Sequence, residues 1–354
     1  MNKPVDLSHL AARAEEDSNT SDNPHFATVL DARLSRRGLL RGSVGTAATA
    51  LFGSVALAGC GGGDDDTPAP TTPDAGALSK LGFTAVPKSL EDKVTLAAGY
   101  TATVVYALGD PLTATTAAYK NDGTDTDYGN RAGAHHDGME WFSLGSDGSA
   151  STTASDRGLI AMNHEATTDE TLSSFFLHAD GGTATLPRPA SEVDKETAIH
   201  GVSVVEMKKT GSTWAYVQNS AFNRRVTALS EVDIGGPAKG HALLKTKYSI
   251  DGTRTRGTLN NCGTGKTPWG SFLTGEENWF GYFTRPAGDD LARGNDKSVV
   301  ALKRYGRAEG AASRHGWESA GTADIYARWI NAKTGTSADG TDDYRNEMNG
   351  MGYI

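Results

Sequence analysis

Asn260-Asn261-Cys262-Gly263-Thr264-Gly265-Lys266-Thr267-Pro268-Trp269-Gly270-Ser271-Phe272-Leu273-Thr274-Gly275-Glu276-Glu277-Asn278 carries the most readable chemistry of this chain. A thiol, two adjacent carboxylates and a carboxamide lie on a Gly-rich segment interrupted by a short apolar run. Trp269 to Thr274 reads as a strand, after which Gly275-Glu276-Glu277-Asn278 presents polar groups at its end. Side chains alternate along a strand, so one of Glu276 and Glu277 is expected to face a given centre. Adjacent carboxylates repel unless something positive lies between or beside them. A thiolate near carboxylate and carboxamide oxygens combines soft and hard donors, which makes Cys262 a candidate metal ligand.

Two more segments repeat this design. In Gly133-Ala134-His135-His136-Asp137-Gly138-Met139-Glu140-Trp141-Phe142, paired histidines before Asp137 and Gly138 suggest a ligand-bearing turn entering a strand. Gly158-Leu159-Ile160-Ala161-Met162 is an apolar strand that ends on Asn163-His164-Glu165, placing three polar groups at a sheet rim. Oxygens of this kind suit calcium. Glu347, near the C-terminus, is a further candidate. Groups with the charge to meet a phosphate are Arg224, Arg225, Lys239, His241, Lys245 and Lys266.

Around these segments the chain reads as β-rich. Thr101 to Tyr106, Val202 to Glu206 and Trp214 to Val217 are strand-like, and Gly, Asp, Ser and Thr clusters separate them. The 43 glycines favour many turns and short elements. Helical periodicity is confined to Val299 to Tyr305 and Ile325 to Ile330. No strict repeat is visible, so periodicity alone does not identify a propeller.

The N-terminal part carries an address. Ser35-Arg36-Arg37-Gly38-Leu39-Leu40-Arg41 is a twin-arginine pattern, followed by a small, weakly apolar run to Ala58. Leu57-Ala58-Gly59-Cys60 has the form of a lipobox, with Cys60 as the residue to be lipidated, which leaves Cys262 as the free thiol of the exported protein. Residues 1–59 are therefore expected to be a signal, 60–80 a disordered tether, and 81–354 the folded domain, placed in the periplasm or cell envelope. The net charge of −9 argues against nonspecific nucleic-acid binding. It also means that bound cations would have to reverse the local field before an anion could dock. Neither a GxSxG elbow nor a P-loop is present, which disfavours serine hydrolase and nucleotide-driven chemistry.

GAHHDGMEWF, GLIAMNHE, AFNRRVT, GPAKGHALLKT, NNCGTGKTPWGSFLTGEENWFGYF and YRNEMNGMGY stand in the order that resembles PhoX-type alkaline phosphatases, over roughly residues 81–354. The resemblance implies an all-β fold, a six-bladed β-propeller with embellished blades. At one mouth it implies a pair of ferric ions (Fe3+) and several calcium ions (Ca2+) that hydrolyse phosphate monoesters and some diesters. Carried over by position, Cys262 resembles the iron-ligating cysteine. Glu165, Glu276, Glu277 and Glu347 resemble metal carboxylates, joined by Asp137 of the ligand-bearing turn, while Asn278, with Lys266, is expected to meet substrate. Family chains run longer, so the resemblance implies a partial propeller truncated at its C-terminus. The competing expectation is a catalytically incomplete, calcium-binding fragment anchored at the envelope. The expected partners are phosphate esters, the twin-arginine export machinery, and a membrane reached through a lipid on Cys60.

Overall fold

A computed structural model describes residues 84–165 and 174–354; the expected signal, tether and Cys60 lie outside the described residues. Strands dominate, accompanied by a few short helices, and the described strands form no closed barrel. The main sheet is built from β1 (His136–Ser143), β2 (Arg157–His164), β3 (Gly201–Thr210), β4 (Thr213–Tyr216) and β5 (Arg224–Val226). Its order is β1-β2-β3-β4, all antiparallel, with β5 also pairing with β3, at Val202 to Val204. β6 (Glu231–Asp233) with β7 (Arg254–Arg256), and β8 (Asn261–Lys266) with β9 (Phe272–Glu276), make two hairpins.

The apolar run of β2 earns its central place. Ala161, Met162, Asn163 and His164 are all buried, and Val202, Val205 and Met207 of β3 lie beside them. One core cluster joins Met162, Val205 and Met207 to Tyr106, Leu112 and Ala132. A second, larger cluster gathers Trp317, Trp329, Tyr282, Phe283 and Leu259 behind the β8–β9 hairpin. Five α-helices accompany the strands: α1 (Ser174–Leu177), α2 (Ala190–Ile199), α3 (Asp289–Ala292), α4 (Lys297–Arg304) and α5 (Asp324–Ala327). Asp296 caps α4 by accepting the Ser298 amide. No helix among the described residues is long and apolar enough to cross a membrane.

Three local expectations are corrected. Thr101 to Tyr106 forms no strand: Val104 is exposed and no neighbour pairs with the segment, while Tyr106 turns into the core. Trp269 is not in β9 but at the exposed hairpin tip, where Gly270 adopts φ of 89°. The helix read at Ile325 to Ile330 stops at Ala327, after which Ile330 makes a bridge to Thr284.

Candidate metal and phosphate site

Antiparallel pairing decides where the polar strand ends meet. The start of β1 lies against the end of β2, and the start of β8 against the end of β9. β1 and β8 then pack side by side. A Cβ on Gly138 would sit 2.5 Å from Thr264 Cγ2 and 2.7 Å from the Cys262 carbonyl oxygen, so only glycine permits this approach. The three segments singled out in the sequence thereby converge.

Each of two ligand-bearing residues sits in a β-bulge. In β1, His136 to Met139 spans one residue more than its partners His164 to Met162, and Asp137 lies within the bulge. In β8, Asn261 to Thr264 likewise spans one residue more than Glu276 to Thr274, and Cys262 lies within that bulge. A bulge redirects a side chain that regular pleating would send to the other face. His135, at φ of 49°, opens the first bulge, and its carbonyl accepts the Glu165 amide at 2.9 Å. Fully buried Asn163 braces the second: its Nδ2 donates to the Cys262 carbonyl at 2.8 Å, and its Oδ1 accepts the Thr274 hydroxyl at 2.8 Å.

As a result, ligand atoms of Asp137, Glu165 and Cys262 all lie within 4.8 Å of one another. The electrostatics are those of crowded negative charge. A hydrogen bond to Asp137, then burial and the charges of Asp137, Glu277 and Glu165, push the Cys262 thiol up to about 12. Burial, then Asp137 and Glu277, raises Glu165. Asn260, at φ of 50°, donates to Glu165 Oε1 at 3.3 Å, and its own Oδ1 is buried without a partner. Glu277 stands at the exposed rim, where the Asn278 amide donates to its Oε1 at 2.7 Å. Two carboxylates, a thiol and an unpartnered amide oxygen, with no protein cation among them, form a donor set that fits a bound metal ion.

Three expected site residues lie elsewhere. Glu276 points away from Glu277, as alternation requires. Its Oε1 accepts from the Thr258 hydroxyl (2.7 Å) and Leu259 amide (3.1 Å), and its Oε2 from the Gly352 amide (2.7 Å). Buried Glu347 is paired with Arg328 Nε at 2.8 Å and, more loosely, with Arg256 at 3.8 Å. Lys266 is four residues beyond Cys262 on β8, about 13 Å along a strand. Its ammonium donates to the Trp141 carbonyl at 2.9 Å and lies over the Phe142 ring. Of the cations proposed for phosphate, Arg225 is committed to the Val202, Val226, Ala198 and His200 carbonyls, and Lys245 to Asp339. Sequence reading missed Asn260 and the bracing role of Asn163; the Asp137-Gly138 and Cys262-Gly263 pairs were the available sign of the bulges.

A comparison with curated proteins returned no match. Among solved structures, "Pseudomonas fluorescens PhoX in complex with vanadate, a transition state analogue" matches with a TM-score of 0.56 and 34% identity. The match covers 66% of this chain and 37% of that one, so the chain spans well under half of that protein. The family model described as alkaline phosphatase PhoX matches residues 81–325, the stretch that contains Asp137, Glu165 and Cys262. By sequence over most of its length, the chain belongs to the PhoX alkaline phosphatase family.

Proposed function

We propose that this protein is a metal-dependent phosphatase acting on phosphate monoesters, and that it works outside the cytoplasm after twin-arginine export, tethered through Cys60. The observation that carries the reading is the convergence of Asp137, Glu165 and Cys262 within 4.8 Å in a chain of this family. Ferric and calcium ions are the proposed occupants, and a six-bladed propeller is the proposed architecture. Cys262 Sγ with the carboxylates of Asp137 and Glu165 would hold the metal, which when bound supplies Lewis-acid stabilisation of charge on the phosphoryl oxygens.

The rest of the work falls to the chain. Cys262 serves as a metal ligand, a role in which its thiol would give up the proton that it shares with Asp137 in the metal-free chain. Asn163 fixes the β8 bulge, and Asn260 fixes Glu165, so the donor atoms are preorganised. Glu277 and Asn278 line the rim, the Asn278 amide being placed to turn from Glu277 Oε1 towards an ester oxygen. Hydrolysis of p-nitrophenyl phosphate by the purified protein tests the reading. Turnover should be abolished by chelators and by Cys262→Ala. Full activity in Cys262→Ala would sink the role of the thiol, and stoichiometric calcium without iron or turnover would select the non-catalytic fragment instead.

A further inference from the structure

A second hollow lies at the far edge of the main sheet. The order β1-β2-β3-β4 puts β4 three strands from β1, about 14 Å across the sheet. There the turn at residues 107–111 and the segment 118–121 meet Tyr216, at the end of β4, and Gln218 just beyond it. Together they enclose a cleft of about 670 Å³. That volume suits a small molecule.

The backbone holds the walls of this cleft in place. The Asp110 amide donates to the Ala107 carbonyl at 3.1 Å, and the Ala107 amide to Asp110 Oδ2 at 2.7 Å. The same turn is tied to Ala132 by two bonds, Gly109 donating to its carbonyl at 3.0 Å and Asp110 accepting its amide at 2.9 Å. Gly109 has φ of 82°, and a Cβ there would run into the Tyr119 ring, so only glycine lets that ring lie against the turn. On the opposite wall the Tyr216 ring stands 5.5 Å from that of buried Tyr106. Gln218 Nε2 donates to the Thr113 carbonyl at 2.8 Å.

Asp110 carries the one charge among the residues that line the cleft. Other carboxylates of this region have a cation: Asp125 lies beside Arg131, and Glu206 beside Arg157. Among the described residues no cation pairs with Asp110, whose recorded partner is the Ala107 amide. Burial raises its carboxyl, opposed by that amide. A half-buried carboxylate without a counterion is costly, and a bound cation would relieve the cost. The rings of Tyr119 and Tyr216 add faces that attract positive charge and shed water. They offer a metal ion no ligand, and Asp110 repels an anion.

We propose that this cleft binds a small organic ammonium ion, with its cationic head at the Asp110 carboxylate and its alkyl groups against the Tyr119 and Tyr216 rings. The site is independent of the phosphatase reading and of the Cys262 group.

Calorimetric titration of the full-length protein with choline tests the assignment. A parallel titration uses its uncharged isostere, in which carbon replaces the quaternary nitrogen. Choline should bind with a Kd of about 1 mM or tighter. The isostere should bind about tenfold more weakly, and choline affinity should be the same with and without chelator. Asp110→Asn, whose side-chain oxygen can still accept the Ala107 amide, should weaken choline binding by about tenfold and leave metal content and melting unchanged. Tyr216→Leu keeps apolar bulk but removes the ring, and should weaken choline binding by about threefold. No binding by the parent, or equal affinity for choline and its isostere, would overturn the proposal. So would full choline affinity in a folded Asp110→Asn, or binding lost in chelator, which would move the ion to the strand-end group. If Asp110→Asn failed to fold, undiminished choline affinity in Tyr216→Leu would overturn it, and the isostere comparison in the parent needs no variant.

Discussion

Among the described residues, two groups each bring three metal-competent side chains within 4.8 Å: Asp137, Glu165 and Cys262 at the strand ends, and buried His178, Glu192 and Glu196 around α2. Their electrostatics are opposite. In the second group, Arg188 pairs with Glu196 and also with Glu192 at 3.2 Å, while His178 Nε2 lies 3.1 Å from Glu196 Oε1. Trp317 Nε1 donates to Glu196 Oε2 at 2.6 Å. Burial pushes the Glu196 carboxyl up, but the hydrogen bonds from His178, Arg188 and Trp317 overcome it and hold the group down at about 2. In the first group the two are pushed the other way, Glu165 by burial and the thiol by its hydrogen bond to Asp137, with the charges of negative neighbours adding to both. Proximity of ligand types therefore does not mark a metal site by itself. What distinguishes the strand-end group is negative charge that the protein leaves uncompensated.

The largest test removes the internal cation. Arg188→Met leaves Glu192 and Glu196 buried without their counterion and should destabilise by about 3–5 kcal/mol, read from urea unfolding. A loss under about 1 kcal/mol would mean that the α2 group is less dependent on Arg188 than the contacts imply. The paired substitutions Glu196→Gln and Asp137→Asn sharpen the contrast, both measured in chelator. The first should destabilise by about 1–3 kcal/mol, because charge-assisted hydrogen bonds are lost in the interior. The second relieves repulsion and should leave melting unchanged or raised, while metal affinity falls by about tenfold or more. Equal destabilisation by both would erase the distinction between the groups.

Acid should weaken the network beside α2. His200 is fully buried and neutral; burial, opposed in part by its bond to the Glu196 carbonyl, lowers it from 6.5 to about 3. The unfolded chain takes up this proton near pH 6.5 and the folded chain only near 3. Stability from His200 is therefore complete above about pH 6.5 and declines through the interval down to about 3. The slope is about 1.4 kcal/mol per pH unit for one proton. Glu196 acts in the same direction between about 4.5 and 2, again losing stability as pH falls. Urea midpoints at pH 7, 6 and 5 should show the decline, and His200→Gln should reduce it, leaving the share of His164 and His136, which burial also lowers.

How much of this was legible from sequence follows from the range of each cause. β2, β3 and the helix at Val299 announce themselves through local apolar runs and period, and they stand where the pattern put them. The choice between Glu276 and Glu277 was also local, since pleating separates them. Thr101 to Tyr106 had strand composition, but a strand needs a partner, and partnership is not written in six residues. Glu347 and Lys266 failed to join the group for the same reason. Arg328 lies 19 residues before Glu347, and Trp141 lies 125 residues before Lys266, so only the folded chain reveals that these charges are already engaged.

The smallest effect is expected at Lys266, and it is informative for that reason. The residue shares β8 with Cys262, and the sequence placed it near substrate. Strand geometry instead carries it about 13 Å away, to the Trp141 carbonyl and the Phe142 ring. An exposed ammonium of this kind contributes about 0.5–1 kcal/mol through its ring contact. Lys266→Met should accordingly change kcat/KM for p-nitrophenyl phosphate by less than about twofold and stability by less than about 1 kcal/mol. A tenfold loss in kcat/KM with melting unchanged would return Lys266 to the substrate, and it would require β8 to shift along β1 when the site is filled.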